Sequence, residues 1–192
     1  MTEVLGFVTG GACVWLLVRQ HIWNWPVGLA NNLFFFVLFL RSRLFADMGL
    51  QLVYFALGVY GWIQWRRGDA ARGPLRITRT TAGEWVALAG LVPLVTWPLR
   101  EVLVAARGAS PFGDALTTAL SLGATYLQCR KRLENWYLWI AADVLYVPIY
   151  LRRDLPLTAV LYTVFLVMCL VGLREWTREW RRAAGARDRP AA

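Results

Sequence analysis

The chain has 192 residues, 58% of them hydrophobic and 11 of them tryptophan, and its mean hydropathy is positive. Such a composition is too apolar for a soluble domain with a polar surface and reads as an integral membrane protein. The net charge of +9 does not point to nucleic acid, because the arginines flank apolar runs instead of forming a basic face interleaved with aromatics.

The first apolar span runs from about Val4 to Val18 and carries Gly6 and Gly10 as a GxxxG pair. No basic start or cleavage pattern accompanies it, so no signal peptide is expected. The second span, about Trp25 to Leu40, holds Pro26 in its first turn and Asn31 and Asn32 inside, and amides in lipid need partners. The third, about Phe45 to Trp65, contains Gln51 and Tyr54 and ends on Tyr60, Trp62 and Trp65, an expected interfacial belt. A polar loop follows from Arg66 to Thr81, broken by Gly73 and Pro74.

The fourth span, about Gly83 to Leu99, is interrupted by Pro93 and Pro98, has little polar in its middle, and reads as a connector outside the working core. Arg100 to Pro111 reads as a loop. The fifth span, about Phe112 to Cys129, sets Thr118, Ser121, Thr125 and Gln128 along one helical face. These are candidate ligand contacts, although Ser and Thr in lipid often bond a carbonyl one turn back instead.

The sixth span lies within the stretch from Arg130 to Tyr162. At about 100° per residue, Asn135, Trp136, Trp139, Asp143, Tyr146 and Tyr150 share roughly one third of its circumference. Asp143, about 12 Å into the helix, lies near the midplane of a hydrocarbon layer of about 30 Å. A carboxylate at that depth marks a functional site by default. Pro148 predicts a kink beside it. The seventh span runs from about Pro156 to Leu173, followed by REWTREWRR, whose Trp176 and Trp180 suit an interfacial helix. Cys13, Cys129 and Cys169 are far apart without metal-ligand spacing and read as packing residues; neither metal nor cofactor is expected.

A shift of 111 positions, without a gap, places Arg19 on Arg130, Asn24 and Trp25 on Asn135 and Trp136, Leu40 and Arg41 on Leu151 and Arg152, Gly61 on Gly172 and Trp65 on Trp176. The predicted fold is all-α: seven transmembrane helices, with three-helix repeats over 1–65 and 112–175, a loop and connector helix over 66–111, and an interfacial tail over 176–192. An odd connector makes the two repeats parallel, related by an axis along the membrane normal. Six basic residues fall on the side of the N-terminus and fifteen on the other, which predicts the N-terminus outside and the C-terminus in the cytoplasm.

The blocks LFADMGLQLVYFALGVYGWIQW, FGDALTTALSL, RKRLENWYLWIAADVLYVPIY and LTAVLYTVFL resemble the signature blocks of the PnuC family of vitamin transporters, over nearly the whole chain. The resemblance implies a 3+1+3 fold related to the SWEET sugar carriers and a bacterial inner-membrane location. It also implies facilitated diffusion of a vitamin, foremost nicotinamide riboside, that a cytoplasmic kinase then traps, with a homo-oligomer, a trimer among the options, as the assembly. Thiamine and riboflavin are the alternative substrates.

A flat cationic ring bearing hydroxyls asks for stacking surfaces, a counter-charge and amide or hydroxyl partners. Trp136 and Trp139 are candidates to stack and Asp143 to neutralise. Asn32, Gln51, Gln128, Thr125 and Ser121 are candidates to bind polar groups, with Asn135, Tyr146 and Tyr162 completing the expected site. A proton relay is not expected, since no second intramembrane carboxylate or histidine accompanies Asp143, so uniport is the economical mechanism. A retinal photoreceptor is excluded because the single lysine, Lys131, lies at a loop. An enzyme would need a nucleophile with a base, or a metal cluster, and neither is present. A membrane ligand sensor that does not transport is the rival of another class.

Overall fold

The computed structural model describes residues 2–41, 43, 45–68 and 73–187. Among them are seven helices: α1 (Thr2–Val18), α2 (Asn24–Arg41), α3 (Phe45–Arg67), α4 (Ala82–Ala105), α5 (Pro111–Cys129), α6 (Asn135–Leu151) and α7 (Pro156–Arg187). Their ends follow local chemistry. Pro111 and Pro156 stand first in α5 and α7, where a missing N–H is harmless. The Thr81 hydroxyl accepts from the Glu84 N–H while the Glu84 carboxylate accepts from the Thr81 N–H, a reciprocal cap that starts α4.

The surface is inverted relative to a water-soluble protein. Leu33, Phe34, Val37 and Leu40 on α2 and Val160, Val164, Val167 and Leu170 on α7 are exposed, while Thr117, Ser121, Asn135 and Asp143 are buried. Apolar stripes of this extent suit lipid contact. By length and composition α4 and α7 are each able to cross a bilayer.

The chain divides into two compact units, the first formed by Met1–Leu75 with Gln128–Arg130 and the second by Arg76–Leu127 with Lys131–Ala192. In the first, α2 packs on α3 with Trp25 seated over Gly61, where an added Cβ would run into the indole. Trp65 meets that indole edge-on at 5.5 Å and 84°. In the second, α6 packs on α7 with Trp136 over Gly172, and Trp176 meets it at 5.5 Å and 90°. Each residue of one slot stands 111 positions from its counterpart.

The turns repeat at the same spacing. Asn24 Nδ2 donates to the His21 carbonyl at 3.0 Å, and Asn135 Nδ2 donates to the Arg132 carbonyl at 2.6 Å. Gln20 and Lys131 both adopt positive φ, of 53° and 49°, as do Arg43 and Asp154, both at 56°. Behind the first pair, the His21 N–H donates to the Leu16 carbonyl and the Arg132 N–H to the Leu127 carbonyl, each closing a helix C-terminus around a left-handed residue.

Three expectations need correction. Arg100–Ala105 continues α4 instead of forming a loop, because no breaker intervenes before Arg107, whose φ of 56° ends the run. The residues after Leu173 do not start a separate interfacial helix, since nothing between Leu173 and Arg187 breaks α7, and Thr177 bonds back to the Leu173 carbonyl. Trp65 and Trp176 were expected in interfacial roles, but they pack on Trp25 and Trp136 instead. Residues 188–192 of the expected tail and Arg72 of the expected loop lie outside the described residues.

Closing either slot should destabilise the protein. Gly61→Ala and Gly172→Ala should each cost about 1–3 kcal/mol through overpacking, whereas Gly90→Ala, with nothing within 4 Å of its added Cβ, should be neutral or slightly stabilising. Thermal unfolding in detergent measures the difference, and equal melting temperatures for all three would refute the slot.

Candidate functional site

The polar face of α6 begins at a fixed turn. Glu134, 2% exposed, accepts from the Thr80 N–H and hydroxyl, each at 2.7 Å, and pairs with the Arg79 guanidinium. Arg132 grips Glu84 with Nε and Nη2 at 3.1 and 2.9 Å. Backbone bonds from the Thr78 N–H to the Lys131 carbonyl and from the Leu133 N–H to the Thr78 carbonyl lash the segment before α4 to this turn. The start of α6 is therefore held from three directions.

Along α6, the predicted stripe separates into two roles. Asn135 and Trp136 are fully buried and do what Asn24 and Trp25 do in the first unit, closing a turn and filling a helix–helix slot. With its ring against Gly172 and Trp176, Trp136 has little surface left for a ligand. Trp139, one turn on, is half-buried, and its buried Nε1 has no hydrogen-bond partner. Asp143, 4% exposed, receives the Cys169 thiol of α7 at 3.4 Å. Tyr146, Tyr150 and Tyr162 form a ring cluster with centroids 4.5, 5.0 and 5.8 Å apart. The Tyr146 hydroxyl lies near Thr117 and Ser121 of α5 in the same unit. Below the cluster, Arg153 of the turn after α6 pairs with Asp114 of α5 and lies 5.9 Å from the Tyr150 ring.

The remaining candidates are scattered more widely. Ser121 and Thr125 are buried on α5, and the Thr125 hydroxyl donates to the Ser121 carbonyl at 2.8 Å, the local bond expected of threonine in a membrane helix. Gln128 belongs to the first unit, where its Nε2 reaches Asn24 Oδ1 at 3.4 Å and its carbonyl accepts from Trp65 Nε1 at 3.1 Å. Of the two neighbouring amides on α2, Asn31 donates to the Thr9 hydroxyl at 3.1 Å. Asn32, like Gln51 on α3, is half-buried and carries no side-chain hydrogen bond among the described residues. An amide in an apolar setting without a partner is a natural ligand contact.

Two residues escaped the sequence reading. Cys169 looked like packing because the helical period of α7 carries no signal about which residue of α6 it meets. Thr117 lies one position from the predicted Thr118 and takes the buried place, so the polar line of α5 runs Thr117, Ser121, Thr125 at i, i+4, i+8. Both Thr117 and Thr118 fit a helical spacing with Ser121 and Thr125, and burial selects Thr117.

The chain as a whole is similar to known proteins. The family model described as nicotinamide mononucleotide transporter matches residues 1–178. The riboflavin/roseoflavin transporter RibM of Streptomyces davaonensis is 28% identical over 94% of this chain and 86% of its own length. The nicotinamide riboside transporter PnuC of Escherichia coli is also 28% identical, over 93% of this chain and 86% of its own. The crystal structure of a vitamin B3 transporter PnuC superposes with a TM-score of 0.70 at 25% identity, covering 92% of this chain and 80% of that one.

The division between Trp136 and Trp139 is measurable. Trp136→Ala should cost about 3–5 kcal/mol of stability. Trp139→Ala should leave Tm close to wild type and weaken binding of an aromatic solute about tenfold. Paired thermal unfolding and titration calorimetry decide it, and the reverse pattern would give the stacking role to Trp136.

Proposed function

Because the chain belongs to the nicotinamide mononucleotide transporter family, and so is a membrane transporter of a vitamin and not an enzyme, we propose that it takes up nicotinamide riboside by facilitated diffusion. The observation that carries this reading is the pairing of a half-buried Trp139 with a buried Asp143 one turn further along α6. A pyridinium ring stacks on the first and is neutralised by the second, while ribose hydroxyls and the carboxamide find the α5 hydroxyls of the same unit. RibM, equally similar in sequence, supports riboflavin as the second reading, and thiamine shares the cationic ring. A neutral isoalloxazine has no use for a counter-charge, which favours the cations.

The recurrence of the turn, slot and left-handed residues at 111 positions supports two three-helix repeats, α1–α3 and α5–α7, joined by α4. An odd connector makes them parallel, and the arginine bias places the N-terminus outside and the C-terminus in the cytoplasm of a bacterial inner membrane. Rocking of the repeats, with Pro148 beside Asp143 as a hinge, gives alternating access without a coupled ion. The membrane potential then draws a cation inward at about 2.3 kcal/mol per charge per 100 mV. A cytoplasmic kinase would trap the product, and a homo-oligomer is the expected assembly.

The repeats are unequal as ligand surfaces. Trp139 and Asp143 correspond to Gly28 and Asn32, and a Cβ added at Gly28 would meet only Cys13 Sγ, at 4.0 Å. The second repeat presents charge and stacking surface on α6, where the first has a glycine and an amide at the matching positions of α2.

Three measurements test the proposal. Proteoliposomes should accumulate labelled nicotinamide riboside down its gradient, and binding without flux would make the protein a sensor. Asp143→Asn should weaken binding of nicotinamide riboside and thiamine by about tenfold to a hundredfold and leave riboflavin nearly unchanged. Unchanged affinity for the cations would reduce Asp143 to a structural role. A cysteine introduced at Pro74 should be labelled by impermeant maleimide only from the cytoplasmic side, and labelling from outside would invert the topology.

A further inference from the structure

At the arginine-rich end of the second unit, a groove of about 300 Å³ opens between residues 76–79 and the last turns of α7. It lies well away from the α6 stripe, since Trp180 stands eleven residues beyond Cys169, or about 16 Å along the helix. With 32 residues α7 is about 48 Å long, against a hydrocarbon layer of about 30 Å. Its apolar run ends at Leu173, so the groove, which begins at Glu179, falls at headgroup level.

The charges around it do not balance. Glu84 is held by Arg132, and Glu134 by Arg79 and Thr80. Glu179 faces Lys131, whose ammonium is pushed below its usual range by burial and pulled back up by that carboxylate. Each acid thus already has a base. Arg76, which lines the groove and is exposed, has no hydrogen bond or ion pair among the described residues. The floor is apolar: Ile77 is 7% exposed, Ala183 and Ala184 are half-buried, and the Trp180 ring is held by the Arg79 guanidinium 5.5 Å from its centroid. A spare cation above an apolar floor fits an anionic amphiphile better than a free anion, which would leave the floor bare, or an acidic peptide, which would meet Glu179.

We propose that this groove binds the headgroup of an anionic phospholipid, with the phosphate on Arg76 and the glycerol against Trp180 and the alanines. The bound lipid would brace the segment before α4 against α7 at the level where Arg79, Glu134 and Arg132 already join it to the start of α6.

The test uses the full chain, delipidated in detergent and titrated with phosphatidylglycerol or phosphatidylcholine, with lipid adducts counted by native mass spectrometry. The wild type should retain one phosphatidylglycerol preferentially. Arg76→Gln should weaken that retention about fivefold, and Ala184→Glu, which sets a carboxylate on the floor, should abolish it. Arg152→Gln, an exposed arginine at the far end of α6, should change nothing. Equal retention in wild type and Arg76→Gln would overturn the site, as would an equal loss in Arg152→Gln, which would indicate diffuse surface charge. Displacement of the lipid by millimolar inorganic phosphate would overturn the lipid as occupant and assign the groove to a free anion.

Discussion

The seating of an indole on a glycine is the constraint on which each unit depends. In lipid there is little hydrophobic gain in bringing two helices together, so association relies on close packing and on small residues that let backbones approach. Gly61 and Gly172 provide the gap, Trp25 and Trp136 fill it, and a second indole closes each slot edge-on, worth about 0.5–1.5 kcal/mol beyond burial. The fit costs something: Trp25 Nε1 and Trp136 Nε1 are buried without partners at corresponding positions of the two units. That the same unpaired donor recurs in both shows packing outweighing hydrogen bonding there.

Once Trp136 is committed to the slot, the helical period dictates what remains of α6. Trp139 and Asp143 lie three and seven residues on, along the same side of the helix, and Tyr146 and Tyr150 continue that line toward Arg153 and Asp114. Adding Glu134 and Arg132, which pin the first turn, gives a helix anchored at both ends by ion pairs and carrying Trp139 and Asp143 between them. In the first unit the residues matching Arg132 and Glu134 are His21 and Trp23, and Trp23 is 59% exposed, so its turn has no such ion-pair anchor among the described residues.

Much of the fold was legible in the sequence because it rests on signals local to the chain. Apolar runs placed most boundaries within a few residues, and the 111-residue shift picked out the positions that recur as turns and slots. The errors share one physical cause. Trp65 and Trp176 read as interfacial belts because a tryptophan near the end of an apolar run looks the same whether it faces headgroups or a glycine on the next helix. Cys169 and Thr117 were missed for the same reason, as contacts between helices leave no period along either one. Asn135 and Trp136 share a face with Asp143, and the 111-residue shift also pairs them with Asn24 and Trp25, residues with no carboxylate beside them.

Asp143 differs in kind from the ion-paired acids of its unit. Glu84 and Glu134, toward the arginine-rich end, each meet a guanidinium, and Asp114, at the opposite end of the unit, meets Arg153. The charge of each is therefore met within the fold. Asp143 meets a thiol, a weak donor that satisfies part of a carboxylate and offsets none of its charge. A charged side chain deep in a membrane costs several kcal/mol without compensation, so under the proposed function a cationic substrate would supply Asp143 with the counter-charge that Arg132, Arg79 and Arg153 give the other three acids. Under the same proposal Trp139, one turn before it with an unpaired indole N–H, would favour a flat ring that also accepts a hydrogen bond. A pyridinium carboxamide has all three features, with the charge and the aromatic face in the ring and the acceptor in the amide carbonyl.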